Sequence, residues 1–446
     1  MVSTYALRPE ISKSLRPGDC LIENVNGLVE AVDTVLAAHL VTQKYHILEF
    51  AENRATYLYQ DGVYVPYARE FLEGELIRWF EPFRKKNMRP VMTTQTAREI
   101  LNIAFTLNRT TMEVLDRQPL MLNVPNGLLD LTSWEVVAHD PKTISLSQIE
   151  AVYIPKAECP LFMDYLDGVI DPKYHLALQE MFGYTLWPGY PLHKAFMLYG
   201  PPRTGKSTML GVIRALLGGQ AVSTVDLQRL TGSNHVVWEL FGKKANIHGD
   251  LPRSVVLEPS EFKVLTGGDT VRGEQKFKDG FSFNNQAKII YGSNYIPALR
   301  FDDDAFYKRW VIFQFNRSFE TTGDSRLKEK LTTPEELSGI LNWSLEGLDR
   351  LRSNDFRMSY HDNGEDLYRR LSRPILVFLE EMTEEDDDAR TPKDELFQAY
   401  KTWCKTNGTK PGTKNAFGRK LRDMDFEEGA ILNGSKRAWF GIRLKE

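Results

Sequence analysis

The run Gly200, Pro201, Pro202, Arg203, Thr204, Gly205, Lys206, Ser207 has the residue types and spacing most specific to one chemistry in this 446-residue chain. It fits the pattern GxxxxGK[ST], and Thr208 follows it. Glycines let backbone N–H groups approach phosphate oxygens closely, and a helix that starts at such a loop adds positive potential at its N-terminus. In that setting a lysine reaches the outer phosphates and a hydroxyl ligates Mg²⁺. Gly200 through Thr208 are therefore the candidate nucleotide-binding residues. Lys206 is the catalytic cation and Ser207 a metal ligand, which implies ATP and Mg²⁺.

Such a loop needs partners. An acid must come from a second strand, to hold Mg²⁺ and the attacking water. Asp250, after KKANIH, is the candidate, with Gly249 where a first acid often stands; Glu258 or Glu261 could assist. A side-chain amide at a strand tip can hold the water, and Asn294 ends AKIIYGSN. Arg309 opens the strand RWVIFQF, where it could neutralise charge at a neighbouring subunit's nucleotide. Between acid and amide lies LTGGD, then RGEQKFKDGFSF. Asp279-Gly280 reads as a hairpin turn. Lys276 and Lys278 with the adjacent aromatics suit a phosphate backbone and stacked bases.

The elements that must carry these residues are legible from periodicity. KAFMLYG (194–200) reads as a strand into the loop, and TMLGVIRALLG as the helix after it. Strand-like runs alternating with helices up to about residue 316 imply an α/β sheet. LSGILNWSLEGLDRLR closes the region as a helix. Upstream, GLVEAVDTVLAAHLV, FLEGELIRWFEPF, TAREILNIAFTL, FMDYLDGVI and HLALQEMFGYTLW read as helices. ATYLYQDGVYVPY reads as a hairpin about Asp61-Gly62. MLNVPNGLLDLTSWEVVAH reads as two short strands. The acidic run EEMTEEDDDAR (380–390) reads as a solvated loop and domain edge.

Composition bounds the partners. The net charge of −4 excludes a generally basic nucleic-acid coat, so any DNA contact must be a local patch. Cys20, Cys159 and Cys404 are far apart and form no metal or disulfide pattern. The chain opens without a basic-then-apolar leader and has no apolar run long enough for a membrane span. A site in the host-cell interior, cytoplasmic or nucleoid-associated, is expected, with no secretion. Residues 401–446 hold eleven Lys or Arg against five Asp or Glu. There, two helices and an Asn433-Gly434 hairpin suggest a winged helix. Lys414, Arg419, Lys420 and Arg422 on the second helix face either DNA or a protein partner.

Taken together, the phosphate loop, the short acid strand, the LTGGD-to-hairpin segment, the GSN strand end and the KRW arginine resemble the superfamily 3 helicases. That branch of the AAA+ ATPases serves viruses and plasmids, and the likeness is closest to the helicase part of poxvirus, phage and plasmid primase–helicases. NGLLDL, KAECPLFMDYLDG and LQEMFGYTLW resemble the segments that precede the motor there. The resemblance implies an AAA+ core at 191–355, an N-terminal accessory region at 1–110, a helical and strand extension at 111–190 and a winged-helix-like domain at 365–446. It also implies a homo-oligomeric ring, expected as a hexamer, that hydrolyses ATP and translocates on single-stranded or forked DNA. A separate primase or polymerase is a possible partner. The alternative is an AAA+ remodeller or loader acting on a protein.

Overall fold

The structure is a computed structural model. It describes residues 14–116, 120–249, 251, 256–257, 259–274, 280–296, 298–299, 303–319, 324, 326–360, 364–407, 409–431 and 436–445. Asp250, Glu258, Lys276, Lys278 and the Asn433-Gly434 turn lie outside the described residues.

At its centre is a five-stranded parallel sheet. The strand order is Val222–Ser223, Ala245–His248, Lys288–Ser293, Ala195–Tyr199, Trp310–Gln314. AFMLY, KIIYGS and WVIFQ are nearly continuous apolar runs, and every residue of Lys288–Ser293 is buried. Unbroken apolarity is what a strand covered on both faces requires. The order has a functional consequence. Lys288–Ser293 separates the strand leading to the phosphate loop from Ala245–His248, so three strand ends point to one crevice.

The N-terminal region builds a four-stranded sheet, ordered Val63–Pro66, Thr56–Gln60, Ile47–Phe50, Arg109–Thr110. The expected hairpin is present, and both turn residues have positive φ, 48° at Asp61 and 91° at Gly62. Helices Thr34–Lys44, Ala68–Phe80 and Thr94–Leu107 bury their own apolar cluster, with Leu40, Leu72, Leu76 and Leu101 inside. The first helix starts later than its pattern suggests. The Asp33 carboxylate accepts from the N–H groups of Val35 and Leu36 and fixes the start there, while Val29–Val32 pairs as a strand with Leu21–Glu23. Buried Glu49 is gripped by Arg109, Arg69 and Arg54 at 2.7, 2.9 and 3.1 Å, and these arginines hold its carboxyl below the usual range against burial. The second sheet segment gains a third strand, Val136–Val137, beside Met121–Val124 and Gly127–Asp130.

Helix His175–Leu186 lies along Pro334–Ser353, and small residues set the approach. A Cβ on Gly183 would stand 2.4 Å from the Ser344 carbonyl oxygen. Between them, fully buried Glu180 accepts from Arg350 Nε, the Ser359 N–H and the Ser359 hydroxyl, each at 2.7 Å. Tyr184 meets Phe196 edge-on at 6.1 Å, which ties this pair to the central sheet.

The C-terminal region corrects one expectation. The acidic run is not a loop. Helix Pro374–Met382 ends in strand Thr383–Pro392, which pairs with Lys436–Leu444; that strand pairs in turn with Glu428–Ile431. Acidic residues have poor strand propensity, yet ladder hydrogen bonds and ion pairs of Arg443 with Glu384 (2.5 Å) and Asp386 (3.0 Å) outweigh it. The acids that do not fit are shed in an irregularity between Glu385 and Arg390. Helices Lys393–Thr406 and Lys414–Arg422 stand as expected, over a core of Phe378, Tyr400, Trp403, Phe417 and Trp439.

Candidate nucleotide site

The phosphate loop begins where strand Ala195–Tyr199 stops. Gly200 takes φ +158°, and a Cβ there would lie 2.1 Å from the Phe315 carbonyl oxygen. Only glycine lets the backbone pass this closely. Its N–H donates to Ser293 O at 3.1 Å, and the Phe315 N–H donates to Tyr199 O at 2.7 Å. The loop is thus stitched to both neighbouring strands.

Lys206 opens the helix Lys206–Leu217, preceded by Gly205 at φ +96°. Its side chain is nearly buried, and Nζ donates to Gly200 O (2.8 Å), Pro201 O (2.5 Å) and Thr204 Oγ1 (3.3 Å). The ammonium is therefore held by the loop's own oxygens. Ser207 is exposed and Thr208 half-buried in the first helical turn, where N–H groups lack intrahelical partners. Thr204 is buried and donates to Pro201 O at 2.9 Å. A cradle of loop amides, one fixed ammonium and one exposed hydroxyl fits a magnesium-bound polyphosphate.

Two supports had no signal in the sequence. Tyr165, from helix Pro160–Val169, donates its hydroxyl to Gly205 O at 2.7 Å. Burial pushes that phenol's pKa above its usual range. Arg317 donates to the carbonyls of Asp167 (2.8 Å) and Gly168 (3.1 Å), and the Phe319 N–H donates to Arg203 O at 2.9 Å. The segment after strand Trp310–Gln314 therefore runs along the loop and ties it to the helix beneath. These partners are more than a hundred residues from the loop or sit in a helix readable only as amphipathic.

The remaining candidates separate. Asn294 follows Ser293, and Ser293 is in register with Tyr199 at the loop strand's end. Strand Ala245–His248 ends level with Tyr291, and the Gly249 carbonyl oxygen is 3.1 Å from the Cβ position of Gly292. Glu261 is exposed in helix Pro259–Leu265. Arg309 stands at the opposite end of the sheet. Its carbonyl accepts from the Ala195 N–H at 2.7 Å, and its Nη1 donates to Thr266 O at 2.9 Å. Five residues of strand separate it from the level of the loop, roughly 17 Å at 3.3 Å per residue.

The hairpin stem is present as Thr270–Gly273 against Phe281–Asn284. Phe281 is an anchor and not a base contact. It is buried edge-on to Phe241 at 5.4 Å and beside Phe283 at 5.5 Å, and Phe241 in turn meets Phe50 of the N-terminal sheet. In the C-terminal region Lys414 is paired with Asp394, and Arg422 lies 3.4 Å from Glu428. Arg419 is exposed and Lys420 half-buried.

With this geometry in view, three family models match the chain. "D5 N terminal like" covers residues 38–171. "Family of unknown function (DUF5906)" covers 198–309, from the loop strand to Arg309. "Poxvirus D5 protein-like" covers 372–439. The likeness is to the D5-like primase–helicases. A protein of Acanthamoeba polyphaga mimivirus, L207/L206, whose name makes it a helicase candidate, is 27% identical over 142 residues. That match takes in 30% of this chain and only 15% of the mimivirus protein's own length. Among solved structures, the A form apo structure of the NrS-1 C terminal region has a TM-score of 0.49 at 10% identity, over 93% of this chain and all of that one. A second apo structure of that region, residues 305–718, gives 0.45 at 10% identity, over 93% of this chain and all of that one. The chain has a mixed α/β fold about a parallel sheet, and among its described residues no helix is long and apolar enough to cross a membrane.

Proposed function

We propose that this D5-like chain is an ATP-driven DNA helicase that works as a ring, expected as a hexamer, in replicating a virus, plasmid or other mobile element inside the host cell. The observation that carries the reading is the sheet order. The phosphate-loop strand lies between Lys288–Ser293, which Asn294 follows, and Trp310–Gln314, which Arg309 precedes, the arrangement expected of an AAA+ core. Lys206 would hold the β- and γ-phosphates, with Ser207 and Asp250 on Mg²⁺ and Asn294 on the attacking water. Bound Mg²⁺ would supply charge neutralisation at the transferred phosphoryl group. Arg309 would serve a neighbouring subunit.

The domain division 1–110, 111–190, 191–355 and 365–446 is part of this proposal. So is a winged-helix reading of the C-terminal region. It is supported by the order helix, strand, helix, helix, strand, strand over 374–444, with Lys414, Arg419, Lys420 and Arg422 on the second of the adjacent helices as duplex contacts. Single-stranded and forked DNA are the partners, with Lys276 and Lys278 at the hairpin and a separate primase or polymerase in the same process. Strand displacement on a forked duplex tests the reading. ATP should drive unwinding, and single-stranded DNA should stimulate hydrolysis. Hydrolysis indifferent to DNA, with no unwinding, would instead identify a remodeller of protein partners.

A further inference from the structure

At the start of helix Ala68–Phe80 two rings, Tyr67 and Phe71, stay outside the core, while Tyr45 and Trp79 beside them pack against it. Tyr67, at the helix start, is 75% exposed and Phe71 is 39% exposed. Phe71 meets Tyr45 edge-on at 5.9 Å, and Tyr45 lies parallel to Trp79 with centroids 6.0 Å apart. Lys44 Nζ sits 4.1 Å above the Trp79 ring. A Cβ at Gly74, one turn on from Phe71, would meet nothing within 4 Å, so the surface beside the exposed rings is open there. From Tyr67 to Trp79 is about 18 Å at 1.5 Å per residue, room for a few nucleotides.

The same helix end leads into a basic turn. Residues 82–92 read PFRKKNMRPVM, with Arg84, Lys85, Lys86 and Arg89 and no acid. The turn is ordered by its own backbone. Arg84 bridges Pro90, the Lys85 N–H donates to Arg89 O at 2.9 Å, and the Met88 N–H donates to Lys85 O at 2.8 Å. Lys86, Arg89 and Met88 are exposed and Lys85 is half-exposed. Complementing the helix dipole needs a cation or two in the last turn, and Arg78 is already there. The extra charge lies beyond the helix, on a turn that folds back. Of the acids nearby, Glu75 is neutralised by Arg78 at 2.6 Å and accepts from the Tyr45 hydroxyl, Glu73 is paired with Arg98 at 3.2 Å, and Glu70 and Glu81 are exposed against the four cations of the turn and Lys44.

We infer that this face is a binding site for single-stranded nucleic acid, separate from the motor. Bases stack on the exposed rings of Tyr67 and Phe71, while Lys85, Lys86 and Arg89 take the phosphates. Positive charge with interleaved rings favours a polyanion that has exposed aromatic faces over an apolar protein helix. Contact at this site requires no nucleotide, so it stands or falls independently of the motor reading.

The test uses the full chain without ATP and a fluorescein-labelled oligothymidylate, with anisotropy read across a salt series. Lys276→Ala with Lys278→Ala is built in first, to silence the proposed hairpin contacts. Adding Lys85→Ala, Lys86→Ala and Arg89→Ala should flatten the slope of log K against log salt by about 2, at roughly 0.7 for each phosphate no longer neutralised. Tyr67→Ala with Phe71→Ala should weaken the oligothymidylate about fivefold or more for each base left unstacked and leave an abasic strand of equal length unaffected. Circular dichroism melts confirm that both variants fold. An unchanged slope in the folded charge variant, or equal weakening on oligothymidylate and abasic strand, overturns the proposal. The first result would give the face to a protein partner.

Discussion

Arg309→Ala separates chemistry from structure in a way no other substitution here does. Among the described residues Arg309 makes one charge-assisted bond, to the Thr266 carbonyl at 2.9 Å, and it is only partly buried. Such bonds contribute about 1.5–3 kcal/mol when well buried, so screening leaves roughly 1 kcal/mol and a shift of a few degrees in melting temperature. The distance to its own phosphate loop, roughly 17 Å along the strand, exceeds the reach of an arginine side chain. A purely structural role therefore predicts a mild loss of stability and near-normal hydrolysis. A role at a neighbour's γ-phosphate predicts a loss of about 10³–10⁵ in rate, with nucleotide binding kept because Lys206 and Ser207 are untouched. The assay is steady-state ATPase beside equilibrium nucleotide binding, followed by mixing with Lys206→Ala subunits. Interfaces that join an intact loop to an intact arginine should restore part of the activity. Normal hydrolysis by Arg309→Ala alone refutes the argument, as does a dead mixture whose subunits still assemble together.

Three further outcomes follow from the site and its frame. Lys206→Ala should abolish hydrolysis and weaken nucleotide binding while leaving the far-ultraviolet circular dichroism unchanged; residual hydrolysis near the normal rate would contradict the loop's assignment. Gly200→Ala should do the same by another route, since its methyl would meet the Phe315 carbonyl oxygen at 2.1 Å; a cost of about 1–3 kcal/mol in urea unfolding is expected for such overpacking. Burial lowers the Lys244 amine to about 8, and fully buried Lys288 is pushed down as well. The unfolded chain then holds more protons than the folded one between about pH 8 and 10.5, so these groups make stability rise with pH across that window. Lys244→Met should raise stability at neutral pH and flatten the rise, and urea titrations at both ends of the window would detect an opposite sign.

The phosphate loop, the strands around it and most helices were legible because each depends on local pattern. A glycine-rich turn between an apolar strand and an amphipathic helix declares itself within twenty residues. So does the Asp61-Gly62 hairpin, whose turn needs two residues of positive φ. The acidic strand Thr383–Pro392 was illegible for the opposite reason. Its propensity argues against a strand, and only pairing with the distant strand Lys436–Leu444, whose Ala438 meets Pro392 and whose Leu444 meets Thr383, makes it one. Burial of Phe281 likewise depended on Phe241 and Phe50, which no spacing connects to it. The sequence by itself determined the chemistry available, a lysine, a hydroxyl and loop amides for a polyphosphate, because those residues are contiguous. Tertiary structure alone decided which strand ends share the crevice, that Tyr165 and the Phe319 amide brace the loop, and that Arg309 stands at the other end of the sheet. These are matters of strand order, and strand order is set by how separate apolar runs cover one another, which is nowhere local in the chain.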